Sequence, residues 1–391
     1  MQGFFSDKTE KMLFSGRELY LEQLQKTLSL LKKSEQKNIA IFGKNGVGKT
    51  YIVKEFLRRI DDKSILPIYI DLNRISLSPE NLSIELIAAV SAWFFGYDNK
   101  WHSETKTLEG IRALKQILKN GSSEIIDKVV NELEKIKPNQ QLLIEQAFNF
   151  SQAIAEENNK KIVFCIENFD KILELNGFEQ VADVFSSINL HQKNILYITT
   201  SSAIEQFKPR LSKYNFEFIN ISPLSKEETK TLIEKSIGKV SSDIVNEIYS
   251  LTLGHPNYVS NVAKRFKETS NVKRAFLLEV LSKSGGIYRD CESTLQLSLA
   301  RARGKTLLNV ILNVLSHYDK LRLTEIARKI FRSAGVTKSL LTRLIEVDII
   351  SKSDNLYSIP DPVLRYFISH QNSGILSEPD ESLLKKLEAE L

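Results

Sequence analysis

Residues Gly43-Lys44-Asn45-Gly46-Val47-Gly48-Lys49-Thr50 follow the apolar run Asn38-Ile39-Ala40-Ile41-Phe42. They precede Tyr51-Ile52-Val53-Lys54-Glu55-Phe56-Leu57-Arg58-Arg59, whose apolar residues recur at helical spacing. A buried strand, a loop with three glycines and an amphipathic helix, in that order, read as a phosphate-binding loop. The glycines let backbone N–H groups turn inward, and the helix N-terminus favours a polyphosphate. Lys44 to Tyr51 are then the nucleotide-contacting set. Lys49 is expected to reach the β and γ phosphates and Thr50 to place its hydroxyl on Mg²⁺.

Outward from the loop, the chain alternates apolar strands with helical stretches, the pattern of a parallel α/β sheet. Ile65-Leu66-Pro67-Ile68-Tyr69-Ile70-Asp71-Leu72 reads as a second buried strand. Amphipathic segments such as Leu82 to Phe95 and Ser122 to Ile136 follow, with Trp93, Phe94, Phe95 and Trp101 as packing residues or, alternatively, an exposed partner surface. The strand Lys161 to Ile166 ends in Glu167-Asn168-Phe169-Asp170. Carboxylates at such a strand end are where a phosphate-loop ATPase holds Mg²⁺. The usual pair is Asp-Glu; here Glu167 takes the metal-side position and Asn168 the water-activating one, with Asp170 as an escape route for the base. These acids could instead cap a helix beginning near Asp170.

Asn194 to Ile198 leads into Thr199-Thr200-Ser201-Ser202, hydroxyls at the crevice end of a parallel strand, where Thr200 could sense a γ-phosphate. Arg210 stands just before the last strand, Phe216 to Ile221, and is the best-placed arginine for a phosphate in its own site or a neighbour's. Beyond Ser222-Pro223-Leu224 the pattern is helical, opened by Ser225 with Glu228 three residues on. Gly254-His255-Pro256 holds a histidine in a turn, either structural or facing nucleotide. Lys305 to Ser369 shows three helices and then a strand, turn and strand, the outline of a winged helix-turn-helix. On its third helix Leu340, Leu341, Leu344 and Ile345 are expected inside, while Lys338, Ser339, Thr342 and Arg343, with Lys352 on the wing, face outward towards double-stranded DNA. The same helices could serve only as a packing module.

Composition fits this reading. The chain has 391 residues, 42% hydrophobic and 26% charged, enough for more than one globular unit and too apolar for a disordered chain. No apolar run approaches a membrane span, and the first residues lack a signal-peptide core, so a cytoplasmic location without membrane contact is expected. Cys165 and Cys291 form no zinc or disulfide framework and read as inert core thiols in a reducing compartment. The net charge of +6 is uneven: Lys264 to Ile345 carries 17 Lys and Arg against 6 Asp and Glu. Such a block suits a polyanion or a solvated helical face.

The Phe-Ser-Gly-Arg-Glu entry at residues 14–18, the glycine loop, Ile166-Glu167-Asn168-Phe169-Asp170, Ser222-Pro223-Leu224-Ser225 and Gly254-His255-Pro256 stand in order. In this the sequence resembles the AAA+/STAND-type P-loop ATPases common in archaea and some bacteria and, more distantly, the archaeal origin-recognition initiators. The resemblance implies an α/β core with a parallel five-stranded sheet in the order 5-1-4-3-2, a helical lid and a C-terminal winged helix. It also implies ATP or ADP with Mg²⁺ and nucleotide-controlled assembly into a homo-oligomer or with a partner protein. Gly16 and Arg17 would lie near adenine, and Lys264 or Arg265 would supply a second phosphate sensor. The expected domains are 1–224 (ATPase), 225–300 (lid), 301–375 (winged helix) and an acidic tail, 376–391. The expected function is a slowly hydrolysing ATP switch that controls assembly and DNA binding, in replication, partitioning, transposition or defence. The alternative is a signalling ATPase whose winged helix locks the lid and binds no DNA.

Overall fold

In the computed structural model, residues 17–35, 37–95, 106–175, 181–189, 191–371 and 379–391 are described. Gly16, Trp101 and the side chains of Trp93 and Phe95 lie outside them. Phe94 packs against the core as expected. The described chain divides into two compact units. The first is Arg17–Gly43 with Lys49–Ile221; the second is Lys44–Gly48 with Ser222–Leu391.

The first unit is built on five parallel strands, β1 (Asn38–Phe42), β2 (Ile65–Asp71), β3 (Lys161–Glu167), β4 (Ile195–Ser201) and β5 (Phe216–Asn220). Their order is β2-β3-β4-β1-β5, the order implied by the resemblance. The apolar runs of β1, β3 and β4 are buried almost throughout, which explains why they lack the alternation of a half-exposed strand. Edge strand β5 is only partly buried. Registers align the strand exits: Asp71 lies opposite Glu167, Ile166 opposite Thr199, and Phe42 opposite Ser201.

Helices α1 (Glu18–Lys32), α2 (Lys49–Arg58), α3 (Pro79–Phe95), α4 (Leu108–Leu114), α5 (Asn120–Leu133), α6 (Gln140–Glu157), α7 (Val181–Asn189) and α8 (Ile204–Leu211) complete this unit. Helix α3 packs on β2 and α6, joining the core around Phe42, Phe164, Phe185 and Tyr197. Cys165 and Cys291 are both free and buried.

In the second unit, α9 (Lys226–Ile237), α10 (Ser242–Thr252), α11 (Pro256–Thr269), α12 (Val272–Leu281) and α13 (Gly286–Arg301) are followed by α14 (Thr306–Ser316), β6 (Leu321–Arg322), α15 (Leu323–Lys329), α16 (Ala334–Glu346), β7 (Ser351–Ser353), β8 (Leu356–Ser358), α17 (Pro362–Gln371) and α18 (Glu381–Glu390). The capping box at Ser225 and Glu228 forms as read from the sequence. From α14 to β8 the element order is that of a winged helix, with the small sheet arranged β6-β8-β7. One apolar cluster runs from Leu224 to Leu387, so the stretches expected as lid, winged helix and acidic tail share a core. Strand β7 begins later than its apolar start suggests: Ile349 and Ile350 are buried core residues just after Asp348, whose φ of 58° turns the chain. Among the described residues no helix is long and apolar enough to cross a membrane.

Candidate functional site

The loop between β1 and α2 carries Gly46 at φ 74° and Gly48 at φ 105°, backbone conformations that side chains with a Cβ rarely adopt. Space is open where a Cβ on Gly48 would stand. Lys49 begins α2, is 7% exposed, and donates from Nζ to the Gly43 carbonyl at 2.7 Å. Burial lowers its pKa from 10.5 to about 8, against the opposing pull of the Asp170 and Glu167 carboxylates. A lysine so placed is held close to the charge threshold until an anion joins it.

Beside it, Thr50 donates its hydroxyl to Glu167 Oε1, and the Tyr69 hydroxyl donates to Glu167 Oε2. Burial raises the Glu167 pKa and the Asp71 charge adds to this, while the two hydroxyls pull the other way. Tyr69 is pushed up by burial and then by the same carboxylate. A hydroxyl and a carboxylate sharing one point are a hard-oxygen pair suited to Mg²⁺, which is bound by one or two protein groups with phosphate oxygens and water completing the shell. The residues therefore fit Mg²⁺ with a nucleotide: Thr50 and Glu167 for the cation, Lys49 for the phosphates. Bound Mg²⁺ would neutralise phosphate charge there. Among the described residues no cluster of three or more His, Cys, Asp and Glu stands together.

Asn168 leaves β3 at φ 55° and precedes a 3₁₀ turn, Phe169–Glu174, rather than an α-helix. Its backbone N–H donates to Thr200 Oγ1 at 3.1 Å and its amide Nδ2 to Asp71 Oδ1 at 2.7 Å. Thr200, expected as a phosphate sensor, is thus buried and engaged by the exit of β3. Asp170 is also buried and accepts from the Ser202 N–H and hydroxyl, each at 3.4 Å. Arg210 sits at the end of α8, half-buried, with Nη1 enclosed and without a partner among the described residues; no contact joins it to the Lys49–Glu167 cluster. Arg17 is buried before α1, its guanidinium 5.6 Å from the Tyr20 ring centre. Tyr51 is 40% exposed.

Within the second unit, the loop residues Lys44–Gly48 meet the turn at Gly254-His255-Pro256. His255 Nε2 lies 2.9 Å from the Asn45 carbonyl oxygen, and its ring packs on Tyr258. Gly254 has φ 72°, and a Cβ there would stand 2.1 Å from the Leu224 carbonyl oxygen, so only glycine fits. Pro256 is the first residue of α11, where its missing N–H costs nothing. Lys44 forms an ion pair with Asp361 at 3.3 Å. Asp361 also accepts from the Val363 and Leu364 N–H groups and from Tyr258.

Lys338, Ser339, Thr342 and Lys352 are exposed as expected, with Leu340, Leu341 and Leu344 buried beneath. Arg343 departs from expectation. Its guanidinium donates to the carbonyls of Ala302 and Arg303, binding the end of α13 instead of facing outward. Arg265 is likewise engaged, by Glu268 and Glu279 at 2.9 Å each. Asp71 and Tyr69 were missed in the sequence. The signal was present, since the β2 run ends in an acid as the β3 run does.

A sequence profile of ATPase domains found predominantly in Archaea matches residues 14–262. The chain belongs to this family. A Walker-type ATPase of Pyrococcus abyssi shares the fold with a TM-score of 0.62 at 16% identity, over 91% of this chain and 96% of that one. The Orc1 protein of Aeropyrum pernix, solved in complex with DNA, gives a TM-score of 0.45 at 12% identity, over 95% of this chain and 96% of that one. An uncharacterised protein of Mycoplasma pneumoniae is 25% identical over 238 residues, so the match spans 51% of this ATPase and 56% of that protein.

Proposed function

We propose that this ATPase is a nucleotide switch that binds ATP with Mg²⁺ and hydrolyses it slowly, controlling assembly and the binding of double-stranded DNA through its winged helix. The observation that carries the slow step is the Asn168 amide held on Asp71 where the chain would otherwise offer a base. An amide can orient water but takes no proton from it. The exposed basic side chains of α15 and α16 support the DNA reading. A cytoplasmic location and a homo-oligomeric or partner-bound active state complete the proposal. Lys49, Thr50 and Glu167 are assigned to phosphate and Mg²⁺, the loop residues Lys44 to Tyr51 with Arg17, His255 and Pro256 to the nucleotide, and Arg210 to a neighbour's site. Lys338, Ser339, Thr342 and Lys352 are assigned to DNA.

The test is to measure mass and affinity for duplex DNA with ATP, ADP and no nucleotide. A change of both with ATP supports the switch; identical values in all three states remove it. One observation favours the second reading, a signalling ATPase with a locking winged helix: Asp361, just before α17, pairs with Lys44 of the phosphate loop. In that case duplex DNA is not bound even at low salt, where phosphate contacts are strongest.

A further inference from the structure

The turn between α15 and α16 holds a phenylalanine in a place where helices ordinarily put glycine. Helix α15 ends in a doubly bonded cap: Arg332 N–H donates to the Ala327 carbonyl at 3.0 Å and Phe331 N–H to the Arg328 carbonyl at 3.3 Å. The residue at the left-handed position is Phe331, with φ 53°. Glycine takes this conformation without steric penalty; a bulky aromatic does not. Nor is the ring buried in compensation, since Phe331 is 86% exposed. Val336, in the first turn of α16, is 46% exposed. The apolar contact that usually accompanies such a cap is missing too, because the next residue is the exposed Arg332. The turn thus gives up backbone ease and apolar burial together, a pattern that points to use rather than to folding.

Charge identifies the occupant. Between Tyr318 and Arg343 stand six Lys and Arg against two acids. Of those acids, Asp319 is paired with Arg365, and Glu325 accepts from the Arg322 N–H at 2.6 Å in the cap of α15. Arg328, Arg332 and Lys338 are exposed around the two apolar side chains. An apolar point inside a cationic rim at the leading end of a recognition helix matches the major groove, where phosphates flank bases and thymine alone presents a methyl group.

We propose that Phe331 and Val336 are an apolar base-reading pair that contacts thymine methyl groups in the major groove, while Arg328, Arg332 and Lys338 hold the adjacent phosphates. This rests on the DNA-binding reading above. It assigns the winged helix a reading element that lies before the recognition helix as well as on it.

The experiment titrates the full chain, with ATP, ADP and no nucleotide, against a short duplex of alternating A and T and against the same duplex with deoxyuridine for thymidine. The two differ only in the methyl. Burying one methyl favours the thymidine duplex by about fourfold and burying two by about fifteenfold. Phe331→Gly should erase most of that ratio, leave the salt dependence of binding unchanged, and raise the melting temperature by relieving the left-handed residue. Val336→Ala, a change that helix α16 tolerates, should reduce the ratio without moving the slope. A wild-type ratio of one with both duplexes bound, or an unchanged ratio in Phe331→Gly, overturns the inference and leaves the DNA reading standing. Absence of binding to either duplex at low salt in every nucleotide state overturns both.

Discussion

The carboxamide of Asn168 donates to Asp71 Oδ1 at 2.7 Å, joining the residue after β3 to the residue that closes β2. Neither end of the amide is basic: Nδ2 is a donor, here to Asp71, and the oxygen can accept a hydrogen bond from water but not its proton. General-base help worth about 10²- to 10⁴-fold is then missing from this position. The double variant Asp71→Asn with Asn168→Glu should raise ATP turnover by about tenfold or more, within that range. Asn168→Glu alone should gain less, because it sets a second carboxylate against Asp71. Steady-state phosphate release measures both. A wild type turning over several times per second and stopped by Asp170→Asn would assign the base to Asp170 instead.

Lys49→Ala should abolish nucleotide binding without weakening the fold. The ammonium is buried, and its lowered pKa means that the cost of desolvation outweighs the attraction of Asp170 and Glu167, so removing the charge relieves more than it gives up beside the bond to Gly43. For the wild type, ligand at 100 times its dissociation constant stabilises the fold by about 2.7 kcal/mol. Thermal unfolding with and without ADP should therefore show a shift in the wild type and none in Lys49→Ala, from the same or a higher starting temperature. A preserved shift would take Lys49 out of the phosphate site.

The parallel sheet and its order were legible because β1, β3 and β4 are buried on both faces and so appear as unbroken apolar runs, each followed by polar residues at its exit. That Thr50 meets Glu167 was expected from the sequence, Thr50 from its place in the glycine loop and Glu167 from the end of an apolar strand. The Asp71–Asn168 bond was not, since a strand register brings together residues 97 apart in the chain. Arg343 misled for a related reason. Helical periodicity assigns it to the outer face of α16, but a long guanidinium can fold back to carbonyls, and the end of α13 offers two. Phe331 shows the same limit of sequence alone: the cap geometry leaves this large apolar ring in solvent.

That difference between Lys338 and Arg343 separates two variants that composition alone would treat alike. Lys338→Ala should weaken duplex binding and reduce the slope of log affinity against log salt by about one unit. Arg343→Ala should leave the slope in place and destabilise the second unit, since charge-assisted bonds to carbonyls contribute about 1.5–3 kcal/mol. Salt titrations and urea unfolding of both variants distinguish the roles. Equal slopes in Lys338→Ala and the wild type would remove that lysine from the DNA surface.

The lowered pKa of Lys49 sets the pH response of nucleotide binding. Without nucleotide the ammonium loses its proton near pH 8, because burial disfavours the charged form. A bound polyphosphate favours the charged form and raises that value. Below about pH 8 the lysine is charged both free and bound, so affinity is flat with respect to this group. Above it, binding must take up a proton, and affinity should fall by up to about tenfold per pH unit until the bound-state pKa is passed. Stability without nucleotide runs the other way. Between about 8 and the ordinary 10.5 the unfolded chain holds more protons than the folded one, so the fold gains stability as pH rises through that window. Calorimetry with metal-free ADP in buffers of different ionisation enthalpy at pH 8.5 to 9 should report the proton taken up. Lys49→Arg, whose guanidinium keeps its proton throughout, should bind with no such uptake. Equal heats in all buffers for the wild type would place the Lys49 pKa outside this range and leave the loss of affinity at high pH without its cause.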